Sequence, residues 1–139
     1  MKKNTTQESH ACPCRSNDHT DSPRPYSQCC QPIHRDITKA VTAEALMRAR
    51  YSACALLNET FMLNSWHPET CPPSISLEPQ VNWIRLDIKS TTAGSADDEN
   101  GEVEYVARCK TNGRASRIHE ISQFTRYKGY WVYLDGQFK

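Results

Sequence analysis

At 139 residues the chain has the length of one ordinary domain and can bury a core, and its formal charge of +1 excludes a broad basic face for nucleic acid. A mean hydropathy of −0.73 and the lack of a long apolar run exclude a membrane-spanning helix, and Met1 to His10 lacks the apolar stretch of a signal peptide. The expected location is therefore the cytoplasm, where seven cysteines point to metal binding rather than to a set of disulfides.

Residues 1–41 are rich in Pro, Ser, Asp and Cys and show no sustained periodicity, so they read as a polar tail, a metal knuckle and a linker. Four cysteines fall here in two tight pairs, Cys12-Pro13-Cys14 and Cys29-Cys30. Four thiolates complete a tetrahedral set for one zinc ion, a closed arrangement that leaves no position for water and is structural in kind. His19 and His34 are near enough to replace one cysteine, since zinc also accepts imidazole nitrogen; the preferred set is Cys12, Cys14, Cys29 and Cys30. The competing readings are free thiols, disulfides and a segment without order.

Thr42 is a helix N-cap with Glu44 in the first turn. The helix runs to about Leu57, with Met47, Tyr51 and Cys54 as its apolar stripe and Arg48, Ser52 and Ala55 to the side. A second short helix spans Glu59 to Trp66 and stops at His67-Pro68. Residues 67–80 hold four prolines and read as loop. The period then changes to two. Ile84, Leu86 and Ile88 mark a first strand, and Val103, Tyr105, Ala107 and Cys109 mark a second. Asn112-Gly113 breaks the pattern before a third strand, Ile118 to Tyr127, and a fourth, Tyr130 to Asp135. Helices followed by a run of strands give an α+β fold with an antiparallel sheet of about four strands.

Lys128-Gly129 reads as a two-residue hairpin turn. Counting from it sets Arg126 opposite Trp131, Phe124 opposite Tyr133 and Ser122 opposite Asp135, with Glu120 on the same face. Glu120 and Asp135 then stand as paired carboxylates suited to acid–base work, with Tyr133 as a hydrogen-bond donor. Arg48, Arg50, Tyr51, Trp66 and His67 are candidates to reach the same cavity from the helices. The plainer alternatives are an internal salt bridge from Glu120 to Arg48 or Arg50, aromatic rings that only fill the core, and a capping or solvated His67. No residue is assigned as catalytic; Glu120, Asp135 and His67 are the candidates. Cys54 and Cys109 read as small buried hydrophobes and Cys71 as a loop thiol.

The two cysteine pairs, the run Thr42 to Ala53, Trp66-His67-Pro68, Val106-Ala107-Arg108, His119-Glu120 and Trp131-Val132-Tyr133-Leu134-Asp135-Gly136 together resemble the YchJ family of small bacterial proteins, over about residues 11–137. The resemblance implies a SEC-C zinc knuckle in residues 1–41 and, over 42–139, a nuclear transport factor 2-like (cystatin-like) cone of helices packed on a curved sheet. It implies no known activity. Three departures stand out: the zinc loop has Arg15-Ser16 for Gly-Ser and fourteen residues between Cys14 and Cys29; Glu120-Ile121-Ser122-Gln123-Phe124 replaces Glu-Arg-Ser-Arg-Phe; and the second SEC-C motif with which many members end is not seen up to Lys139. The functional expectation is a non-enzymatic zinc protein whose knuckle docks a protein partner, as a monomer or homodimer. The alternative is a small-molecule binder or acid–base enzyme working in the cone cavity. Nucleic acid is not expected, because Lys2, Lys3, Arg15, Arg24 and Arg35 are scattered and lack interleaved aromatics.

Overall fold

A computed structural model describes residues 10–15 and 23–139. His19, Lys2, Lys3, Ser16 and the polar tail lie outside the described residues. Three helices, α1 (Gln31–Arg35), α2 (Ala43–Ala55) and α3 (Glu59–Asn64), precede four strands, β1 (Val81–Ala93), β2 (Asn100–Thr111), β3 (Arg114–Tyr127) and β4 (Tyr130–Phe138). The strands form one antiparallel meander in the order β1-β2-β3-β4. Among the described residues no helix is long and apolar enough to cross a membrane.

Local signals set the helix starts. Thr42 caps α2 by accepting a hydrogen bond from the Ala45 amide at 3.0 Å, and Asn58 caps α3 by accepting one from Phe61 at 3.0 Å. Between them Leu57 takes a positive φ of 60°, which ends the first helix and turns the chain into the second. Nine of the thirteen α2 residues are buried, including Arg48 and Ser52, so the helix has neighbours on more than one side. One neighbour is the sheet. The other is the segment before it, which is not the plain linker expected: it forms α1, with Pro32 in its first turn, and short 3-10 turns at Tyr26–Gln28 and Ile37–Lys39.

Two hairpins have two-residue turns with positive φ at both positions, Asn112-Gly113 (53°, 80°) and Lys128-Gly129 (52°, 89°). The first is thus the turn of the β2–β3 hairpin and not merely a break. β-Bulges then change two faces read from simple alternation. Trp83 pairs with Cys109 and Arg85 with Arg108, so Ile84 is the extra residue and Trp83 takes its place on the core side. At the other edge Phe124 pairs with Tyr133, but Gln123 pairs with Asp135 and Ser122 with Gly136. Leu134 is the extra residue there. The expected Ser122–Asp135 pairing is corrected, and Asp135 moves to the outer face, where it is exposed. The core between α2 and the sheet is built on Leu46, Leu86, Val103, Phe124 and Trp131, each at most 2% exposed.

Candidate metal centre and cavity

The first cysteine pair is brought to the second by a short antiparallel bridge between Ala11 and Pro25, in which Cys12 N donates to Arg24 O at 2.7 Å and Tyr26 N to His10 O at 2.9 Å. Cys29 has φ −125° and ψ −92°, a sharp bend that lets adjacent Cys29 and Cys30 point at one centre. The four sulfurs of Cys12, Cys14, Cys29 and Cys30 lie within 4.8 Å of one another and can hold a metal ion. The spacings are 3.6 Å for Cys14–Cys29, 3.8 Å for Cys14–Cys30 and 4.0 Å for Cys29–Cys30. A tetrahedron with metal–sulfur bonds of about 2.3 Å has edges of about 3.8 Å. A disulfide needs about 2.05 Å, and all seven cysteines are free. The sulfurs are thus set for a shared ion rather than for each other.

The surroundings suit an anionic cluster. Four thiolates and one divalent ion carry a net charge of about −2. The Ser52 hydroxyl lies 3.3 Å from both Cys12 Sγ and Cys30 Sγ. Arg48 donates through Nη1 to the Cys14 carbonyl at 3.0 Å and through Nε to Glu44 at 3.0 Å. Burial works against the Arg15 charge, yet a hydrogen bond to Cys29 leaves its pKa raised. Within the cluster the thiols share protons: hydrogen bonding with Cys14 brings Cys12 down to about 7, bonding with Cys12 lowers Cys29, and Cys14 and Cys30 are raised as donors.

His34 is not a member of the set. Its Nδ1 lies 2.7 Å from the Tyr26 hydroxyl and its Nε2 2.8 Å from the Ala49 carbonyl, so both ring nitrogens are occupied. The carbonyl can only accept, which places the proton on Nε2 and leaves Nδ1 to accept from tyrosine. Burial holds the His34 pKa below its usual value. The ring ties α1 to α2. Arg48 likewise belongs to the knuckle side and not to the cavity, a second correction that follows from its bond to Cys14 O.

The opposite side of α2 borders a cavity of about 230 Å³. Arg50, Tyr51 and Cys54 face it from the helix, Trp83, Tyr105 and Glu120 from the sheet, and Trp66 and Tyr133 also line it. A backbone bridge positions those last two: His67 N donates to Tyr133 O and Tyr133 N to Ser65 O, both at 2.8 Å. Glu120, 4% exposed, accepts one hydrogen bond on each oxygen, from the Tyr105 and Tyr133 hydroxyls, both at 2.6 Å. Burial and then the Glu120 interaction raise both phenol pKa values above 10. Arg50, 7% exposed, donates through Nη1 to Ser65 Oγ at 2.7 Å and to Met62 O at 3.0 Å. Its guanidinium carbon sits 4.6 Å from the Tyr133 ring centroid and 5.1 Å from that of Trp66. Burial lowers its pKa.

Glu120 therefore makes no direct ion pair with Arg48 or Arg50 among the described residues; Tyr133 lies between it and Arg50. Asp135 is not its partner in the cavity, because the bulge at Leu134 turns it outward. His67 stays outside the cavity lining, accepts from the Glu69 amide at 3.1 Å and meets the Tyr127 ring edge-on, which is the capping reading. Cys54 is half-buried beside Met62, Cys109 is buried, and Cys71 is half-buried against Leu63 O. Tyr105 is the residue the sequence reading missed. The signal was present: a two-residue turn at Asn112-Gly113 places Tyr105 directly opposite Glu120, the pairing observed.

The family model described as "YchJ, middle NTF2-like domain" matches residues 42–136. A UPF0225 protein of Chromobacterium violaceum is 43% identical over 138 residues, covering 96% of this chain and 97% of that one. A UPF0225 protein of Streptomyces coelicolor is 38% identical, with 91% and 94% covered. Among solved structures, a SEC-C motif containing protein from Psychrobacter arcticus superposes with a TM-score of 0.77 at 27% identity, covering 94% of this chain and 83% of that one. A SEC-C motif containing protein from Rhodopseudomonas palustris gives 0.72 at 27% identity, with 84% and 93% covered. The tetrathiolate knuckle, the helices and the four-strand antiparallel sheet thus agree with the matches, and the chain belongs to the UPF0225 (YchJ-like) family, with an NTF2-like domain following a SEC-C-type cysteine cluster.

Proposed function

We propose that Cys12, Cys14, Cys29 and Cys30 hold one zinc ion in a structural role, and that the protein is a non-enzymatic binding protein braced by that ion. The observation that carries this is the clustering of four sulfurs within 4.8 Å of one another, with Cys14, Cys29 and Cys30 at 3.6 to 4.0 Å, a set of four ligands that leaves no coordination position for a reacting group. Bound there, zinc would supply charge neutralisation and cross-linking, not Lewis-acid chemistry. Metal analysis of the purified protein should give about one zinc per chain, lost in Cys30→Ser. A metal-free protein that is folded and equally stable overturns the proposal. The knuckle, with Pro23 and Arg24 exposed beside the cluster, is the surface this reading offers a cytoplasmic protein partner, and a captured partner should be lost from the Arg24→Glu variant.

The cavity supports a second reading, as a small-molecule site. Acid–base catalysis is the less favoured use of it, because both Glu120 oxygens already accept from tyrosines and Asp135 is turned away.

A further inference from the structure

We infer that the cavity takes a small, flat organic monocarboxylate, with its apolar body among the rings and its carboxylate on Arg50 and Trp66. This rests on the small-molecule reading just given and names the ligand class for it.

Size sets the first limit. A cavity of about 150 Å³ in another protein holds benzene. The present 230 Å³ has room for one ring and a short acidic arm. The walls set the second: Met47, Tyr51, Met62, Trp83, Ile118 and Phe138 offer apolar and aromatic surface, which suits a planar hydrophobic body.

Polar groups set the third. Each Glu120 oxygen already has one tyrosine donor. The donors on Arg50 and Trp66 are less well met. Arg50 places both Nη1 hydrogens on Ser65 and Met62, and its Nε and Nη2 have no partner among the described residues. The indole N–H of Trp66 is buried without a partner as well. A planar guanidinium edge presents parallel N–H groups in the geometry that a carboxylate accepts with two oxygens. A neutral hydrocarbon leaves those donors unmet, and an amine meets the Arg50 charge. A carboxylate meets the Arg50 donors, while Glu120 keeps its own hydroxyl donors.

Tryptophan fluorescence reads binding directly, because Trp66 and Trp83 both line the cavity. The full-length protein as purified is titrated with benzoate and phenylacetate, and with the neutral isosteres benzamide and benzyl alcohol and the cation benzylamine. Both acids should saturate the signal, with each isostere at least about tenfold weaker. Trp66→Phe keeps the ring and removes the N–H, and Arg50→Lys keeps the charge and removes the fork. Each should weaken benzoate by about tenfold while circular dichroism stays unchanged. Isosteres that bind as tightly as the acids, or benzoate binding unchanged in Trp66→Phe, overturn the ligand class and leave the cavity as a neutral-molecule site. A panel in which nothing binds overturns the small-molecule reading itself.

Discussion

Gly136→Ala tests how Glu120 is held. Gly136 lies beneath the Glu120 side chain, and an added Cβ would come within 2.6 Å of Glu120 Cδ and 2.9 Å of its Cγ. Glycine is not needed here for a positive φ, so the backbone tolerates alanine and the whole effect comes from the displaced carboxylate. That carboxylate cannot yield freely, because tyrosine hydroxyls hold both oxygens at 2.6 Å. Losing one such charge-assisted bond costs about 1.5–3 kcal/mol. Forcing the side chain into a packed wall adds about 1–3 kcal/mol. The expected loss is about 3–5 kcal/mol, a fall in Tm of roughly 10–20 °C. Urea unfolding followed by circular dichroism and by tryptophan fluorescence measures it. The Glu120→Ala variant should be destabilised too, but the double variant should lose at least about 2 kcal/mol less than the sum, because removing the carboxylate removes the collision. A Gly136→Ala protein within about 0.5 kcal/mol of the parent, or additive losses, would refute the reasoning.

Three further outcomes follow from the same contacts. Ser52→Ala removes the hydroxyl that lies 3.3 Å from two cluster sulfurs and should weaken metal binding by about tenfold or more in competition with a chromophoric chelator; unchanged affinity contradicts the arrangement. The phenols of Tyr51, Tyr105 and Tyr133 are raised above their usual 10.0, first by burial, so the folded state keeps protons that the unfolded chain releases there. Stability should be full below pH 10 and fall as pH rises beyond it, and a urea midpoint that stays flat to about pH 11 would argue otherwise. Arg126 lies 4.1 Å from the Trp131 ring centroid and donates to Ala96 O at 2.8 Å and Asp98 O at 3.0 Å. Arg126→Ala should cost about 1–2 kcal/mol and speed amide exchange in residues 95–99, whereas unchanged exchange there would show that the contact does not order the turn.

What the sequence made legible was local. Thr42 stands where a cap belongs, Lys128-Gly129 between two strand patterns marks a hairpin turn, and four cysteines in two pairs announce a shared centre. Glu120, Arg50, Trp66 and Tyr133 line one cavity. What stayed hidden depended on longer-range arrangement. The bulges at Ile84 and Leu134 leave no residue signature, yet each reverses one face of a strand, bringing Trp83 in and sending Asp135 out. Arg48 and Ser52 looked like flank residues because a helical wheel shows one partner, and α2 has two. His34 looked like a possible ligand because distance along the chain cannot show that Tyr26 and Ala49 already occupy its nitrogens.

Helix α2 behaves as a party wall. Arg48, the Ala49 carbonyl and Ser52 are fastened on the cysteine side, and Met47, Arg50 and Tyr51 form masonry of the room on the other. Successive helical residues are turned by about 100°, so a small rotation that opened one side would strain the fastenings of the other. The two compartments thus meet on one helix. Any change in metal affinity on filling the cavity must be matched, factor for factor, by the change in cavity affinity on binding the metal, because the two are linked equilibria of one chain.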